Sequence, residues 1–247
     1  MTASDTPRWT DPHDLAEEFL ARLRAAGNPT RAEGEAKYLK SPRPFLGVDV
    51  PTMRKITRSL VCAQPVPAPE VAKEAALLLW GRPEFDARRA ACETLCAAAR
   101  RGELDRSSLD WLEPMIADGE TWAIVDVLCV GVTGVILDAD RSAMGDAVLR
   151  RWSHSPDMWL RRASVLSMLP SLRHDLARWP LFVELADHLM PEREFFIRKV
   201  IGWVARDVAR RWPDVVVDWA TPRLADMSGV TRREVVRHLP QLASAVD

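Results

Sequence analysis

Apolar residues recur along almost the whole chain at intervals of three and four, the spacing of one helix face. In DPHDLAEEFLARLRAAG they fall at Leu15, Phe19, Leu20 and Leu23. A second short helix is predicted over about 31–39. SPRPFLGVDVP follows, the longest stretch without helical pattern. In it Pro51 is placed to open the next helix, because its missing N–H costs nothing at the first position. Further helices are predicted at about 52–63, 68–81, 84–100, 104–116, 119–137, 141–152, 156–169, 173–189, 192–211, 213–225 and 229–245. Gly81-Arg82-Pro83, Asp118-Gly119, Ser155-Pro156, Trp179-Pro180, Met190-Pro191, Trp212-Pro213 and Ser228-Gly229 punctuate them. No alternation of period two is long enough for a strand. Thirteen helices with short links, falling into about six pairs, predict an all-α fold in a single domain over 1–247. Its architecture would be a right-handed α-solenoid of about six HEAT-like two-helix repeats.

Charge adds a second period. Arg54, Arg89, Asp126, Arg162, Lys199 and Arg233 stand at intervals of 35, 37, 36, 37 and 34 residues. A fixed period in this range signals stacked helical repeats. Five of these positions are cationic, in the segments MRK, ARRAA, LRRAS, IRKVI and TRREV; the sixth is an acid, in TWAIVDVL. Stacking the second helix of each pair would align them along a concave basic groove suited to a polyanion. Net charge is only −1, which argues against a globally basic nucleic-acid binder but leaves room for a basic face. Of 34 basic residues five are Lys; Arg supplies the planar fork that phosphate accepts, although codon bias explains the same excess.

Asp126 follows Trp122 by one helical turn, among Ile124, Val125, Val127 and Leu128. A carboxylate in such surroundings must be paired or solvated from a cleft, and Arg162, the next rung, is its expected partner. Trp203 follows Lys199 by four positions and precedes Arg206, repeating the pairing of Trp with ladder residue. Two alternatives are open for Trp122, Asp126, Arg162 and Trp203. They are an inter-repeat ion pair with core indoles, or a site where a carboxylate and aromatic faces stabilise positive charge. Such a site suits cleavage of an N-glycosidic bond, whose transition state is oxocarbenium-like (compare).

YLKSPRPFLGVDVPTMRK, ETWAIVDVL, MWLRRASVL, REFFIRKVIGWVARDVAR and SGVTRREVVRHL together resemble the AlkD-type DNA glycosylases, bacterial alkylpurine repair enzymes built from HEAT-like repeats. They occur in family order from about residue 30 to 240. The resemblance implies a monofunctional glycosylase acting on cationic N3- and N7-alkylpurines, bulky adducts included, in duplex DNA without base flipping. It places the catalytic aspartate on Asp126, with Trp122, Trp203 and Arg162 cradling the deoxyribose of the lesion. It also implies a DNA-facing Tyr38. Where the family has glutamine two positions after FLG, this chain has Asp49, an acid expected beside DNA. Arg54, Arg89, Lys199, Arg206, Arg232 and Arg233 complete the expected DNA-binding set. The alternative function is a non-catalytic HEAT-repeat module that binds DNA or protein.

The remaining signals are exclusions. Cys62, Cys92, Cys96 and Cys129 form no CxxC, and Cys92 and Cys96 read as buried small hydrophobes. His13, His154, His174, His188 and His238 are scattered, and no phosphate-binding glycine loop occurs. No metal and no organic cofactor are expected. Trp80, Trp111, Trp152, Trp212 and Trp219 are assigned to core stripes or helix ends. No apolar run of membrane-spanning length and no signal peptide in MTASDTPRWTDPHD are read, so a cytoplasmic, nucleoid-associated bacterial monomer is expected.

Overall fold

A computed structural model describes residues 9–243; among them all regular structure is helical. The start of the N-terminal segment and the end of the predicted 229–245 helix lie outside the described residues. The chain packs as two compact units, Met1–Asp105 and Arg106–Asp247.

The first unit holds α1 (Pro12–Ala25), α2 (Pro29–Leu39), α3 (Val50–Val61), α4 (Pro69–Trp80) and α5 (Phe85–Arg100). Asp11, Asn28 and Asp49 cap α1, α2 and α3, accepting from the amides of His13, Arg31 and Thr52, and a proline opens each of these helices. Helix α5 is buried almost throughout, between α4, α3 and α1. Its Ala87, Ala90, Ala91, Cys92, Ala97, Ala98 and Ala99 let those neighbours approach closely. The FLG loop is anchored on α5: buried Asp86 accepts from the amides of Leu46 at 2.7 Å and Val48 at 2.9 Å. Gly47 between them has φ +78°, and a Cβ there would lie 2.6 Å from the amide nitrogen of Ala32, so this turn requires glycine.

The second unit begins with α6 (Leu109–Ala117), α7 (Trp122–Leu128), a π-helical turn (Cys129–Thr133) and α8 (Gly134–Ala139). It continues through α9 (Ala143–Ser153), α10 (Met158–Leu166), α11 (Leu169–Leu172), α12 (Trp179–Leu189) and α13 (Phe195–Ala209). It closes with α14 (Pro213–Ala220), α15 (Gly229–Val236) and α16 (Pro240–Ala243). Helix α10 packs against α6, α7, α9, α12 and α13, while α13 packs on α15 and α14. These contacts place α7 and α13 beside α10.

Side-chain bonds recur across this architecture at the interval of the charge ladder. Thr133–Ser167, Arg150–Glu184, Arg173–Asp207 and Arg223–Asp187 join residues 34, 34, 34 and 36 apart. Each links equivalent places in successive helical repeats.

Three predicted helices end or divide early. The 156–169 helix stops at Leu166 as α10, with the unpredicted α11 after it, 213–225 ends in a 3-10 turn at Thr221–Arg223, and 229–245 splits into α15 and α16. A proline stands early in each following piece, at 170, 222 and 240, where it lacks the N–H that would continue the ladder. Helix α12 starts at Trp179, not at 173, for the same reason at Pro180. A further correction concerns the run Trp122–Ala139. Its 18 residues have mean hydropathy 1.9, enough by length and composition to cross a membrane. Half of it is buried in the packed unit, as befits a core helix.

Candidate active site

Asp126 lies on α7, one turn after Trp122, with Ala123, Ile124, Val125 and Leu128 turned into the core. Arg162 comes from α10 and is held on three sides. Its Nε donates to Asp126 Oδ1 at 2.7 Å and its Nη2 to Asp126 Oδ2 at 2.9 Å, a bidentate pair. Its Nη1 donates to the backbone carbonyl of Phe196 on α13 at 2.6 Å. Its Cζ is 5.8 Å from the ring centroids of both Phe196 and Trp203. The Phe196 ring in turn meets Trp159 at 5.2 Å.

The pair is asymmetric toward solvent: 3% of the Arg162 side chain is exposed against 13% of Asp126. What reaches the surface is therefore the negative end. Burial raises the Asp126 carboxyl above the ordinary aspartate range, against the hydrogen bonds and charge of Arg162, which pull it down. Trp122 and Trp203 are both half-buried, positioned between core and surface. The expected ion pair of successive repeats is thus present, and the indoles beside it are not core residues.

Three of the other ladder residues, Arg54, Arg89 and Lys199, are held on two buried glutamates. In the first unit, Glu93 accepts from Arg54 Nε at 3.3 Å and Arg89 Nη2 at 3.4 Å. In the second, Glu234 accepts from Lys199 Nζ and from Arg206 Nη1. Arg233 is exposed, and Arg232 is half-buried with a buried Nε that has no partner. Tyr38 is exposed near the end of α2. Asp49 has a structural task, since Thr52 N and Thr52 Oγ1 donate to its two oxygens and hold its carboxyl below the usual range.

Phe196, Glu93 and Glu234 were missed by the reading of the sequence. Phe196 acts through a backbone carbonyl, which no residue type announces. Glu93 stands one helical turn after Arg89, and that spacing was an available signal. Cys92, Cys96 and Cys129 are buried, and burial pushes their thiols upward, that of Cys96 to about 12. They are inert packing groups.

The family model for the DNA alkylation repair enzyme matches residues 19–239. The chain belongs to the DNA alkylation repair enzyme family. Solved structures share its fold at low identity. A "predicted DNA alkylation repair enzyme" from Enterococcus faecalis superposes with TM-score 0.73 at 17% identity, covering 86% of this chain and 96% of that one. AlkD2 from Streptococcus mutans gives 0.58 at 14%, over 90% and 96%. The Pseudomonas fluorescens alkylpurine DNA glycosylase AlkC, bound to DNA containing an abasic site analog, gives 0.50 at 15%, over 95% and 64%. The fold is thus the all-α helical-repeat solenoid of these structures. No curated protein sequence matches the chain.

Proposed function

We propose that this family member is a DNA glycosylase that hydrolyses the N-glycosidic bond of cationic alkylpurines in duplex DNA. The observation that carries the reading is the bidentate Asp126–Arg162 pair, presenting its acidic end beside half-buried aromatic rings. A purine alkylated at N3 or N7 already carries positive charge. When its C1′–N bond breaks, the electron pair leaves with the base, which departs neutral, and the charge passes to the sugar. A fixed carboxylate beside C1′ stabilises that oxocarbenium ion without reorganising. Indole faces add to the same effect. Water then attacks C1′ and loses a proton, which Asp126 accepts the more readily because burial has raised its carboxyl.

Arg162 is too covered to meet a substrate broadly; its task is to orient Asp126 and keep it ionised. The machinery addresses the sugar and not the base. This suits a lesion left in its stack, with adducts of varied bulk, and contrasts with enzymes that flip the base into a pocket. Arg54, Lys199 and Arg233 would hold phosphates.

The test is release of 3-methyladenine or 7-methylguanine from methylated duplex DNA. Wild type is expected to release them, and Asp126→Asn to do so about 10²–10³-fold more slowly, the range for loss of one preorganised electrostatic group. Tight binding of DNA with no release by wild type would overturn the assignment for these lesions.

A further inference from the structure

Glu93 and Glu234 are carboxylates buried to 6% and 8% exposure, an expensive placement unless each is compensated. Each is compensated twice, by one outer and one inner cation. At Glu93 the outer cation is Arg54, 58% exposed, and the inner one Arg89, 15%. At Glu234 they are Lys199, 40%, and Arg206, 17%. Each trio carries a net charge of +1 with its anion hidden and one cationic head outside. The same arrangement is built separately in the two units from different helices: α3 and α5 in one, α13 and α15 in the other.

The second trio also depends on how closely its helices approach. Lys199 and Arg206 are on α13 either side of Gly202. A Cβ on Gly202 would lie 2.6 Å from the Cβ of Glu234 and 2.7 Å from the Thr231 carbonyl. Thr231 Oγ1 bonds the Arg198 carbonyl at 3.0 Å and fixes α15 there. Glycine thus lets α15 bring Glu234 between the two cations.

We propose that Glu93 and Glu234 are positioning residues that fix Arg54 and Lys199 as phosphate-gripping groups. The inference rests on the duplex-DNA reading above. A long cationic side chain otherwise loses rotamer freedom when it binds phosphate; anchoring it beforehand removes part of that cost. Each outer cation spends only one contact on its anchor, Nε for Arg54, while Lys199 Nζ carries three donors.

The effect has a sign that simple electrostatics does not. Glu93→Gln and Glu234→Gln each add +1 to the net charge, so a glutamate that merely repels phosphate would, once neutralised, leave DNA bound more tightly. Positioning predicts about 5–10-fold weaker binding of an unmodified duplex by each variant, and a shallower salt dependence. Glu234→Asp keeps the charge and shortens the reach, and it should also weaken binding. Binding is measured by fluorescence anisotropy at fixed salt on variants whose helical circular dichroism matches wild type; the variants that fold decide. Folded variants that bind as tightly as wild type, or more tightly, overturn this proposal alone. A wild type that binds no duplex at low salt overturns both it and the DNA reading.

Discussion

The chemistry of Asp126 is set by two opposed influences on one carboxyl. Burial favours its neutral form and Arg162 its charged form, with burial the larger. The proposed reaction needs the carboxylate, so activity is complete above its pKa and is lost as pH falls through it. The acid limb of single-turnover excision should therefore lie above the ordinary aspartate range, and Asp126→Asn should abolish it. A limb within that range would show that burial does not prevail. Arg162→Ala removes the groups that pull the carboxyl down, so the limb should move to higher pH. The same variant leaves an acid buried without its partner, at a cost of about 3–5 kcal/mol. A group whose folded pKa is raised contributes stability below its unfolded pKa and loses it as pH rises through the folded one. Urea unfolding of Arg162→Ala should accordingly show a deficit that deepens with rising pH across that window.

At the level of elements, the helix α7 that carries Asp126 runs into the π-helical turn, where the amide of Gly134 reaches back five residues to the Cys129 carbonyl. A Cβ on Gly134 would lie 2.6 Å from that carbonyl oxygen and 2.8 Å from the Pro170 ring, neither able to swing aside. Gly134→Ala should cost about 1–3 kcal/mol, the usual penalty of overpacking. Gly34, inside α2 with nothing within 4 Å of its added Cβ, is the control. There alanine should stabilise, by up to about 1 kcal/mol. Thermal unfolding that failed to separate the two variants in opposite directions would refute this packing account. Much at this scale was legible in the sequence. Starts such as Asp11-Pro12 and Asp49-Val50-Pro51 carry both cap and proline, and apolar periodicity marked the long helices. The break before Pro240 was not, because apolar residues keep helical spacing across it while the backbone does not, whereas the predicted 156–169 helix already stops before Pro170. The π turn was equally hidden, since an added residue in one turn barely disturbs a 3.6-residue stripe.

Over the whole molecule, the ladder interval foretold that Asp126 and Arg162 would meet, because equivalent positions in stacked repeats face each other. It could not foretell which cations are spent. Arg161, beside Arg162 in sequence, is consumed by Glu192 and the carbonyls of Ser155 and Pro156. Arg54 and Lys199 keep half-open heads. This distinction governs how a chain of net charge −1 would hold the DNA proposed for it. Beyond about 8–10 Å at physiological salt its overall charge is screened, so only cations that touch phosphate contribute. Each such contact releases counterions and adds roughly −0.9 to the slope of log K against log salt. Arg54→Ala and Lys199→Ala should each flatten that slope by about one, whereas Arg161→Ala, removing an equal formal charge, should leave it unchanged. Equal effects from all three, measured by titration of one duplex at several salt concentrations, would mean that net charge and not the ladder sets the affinity.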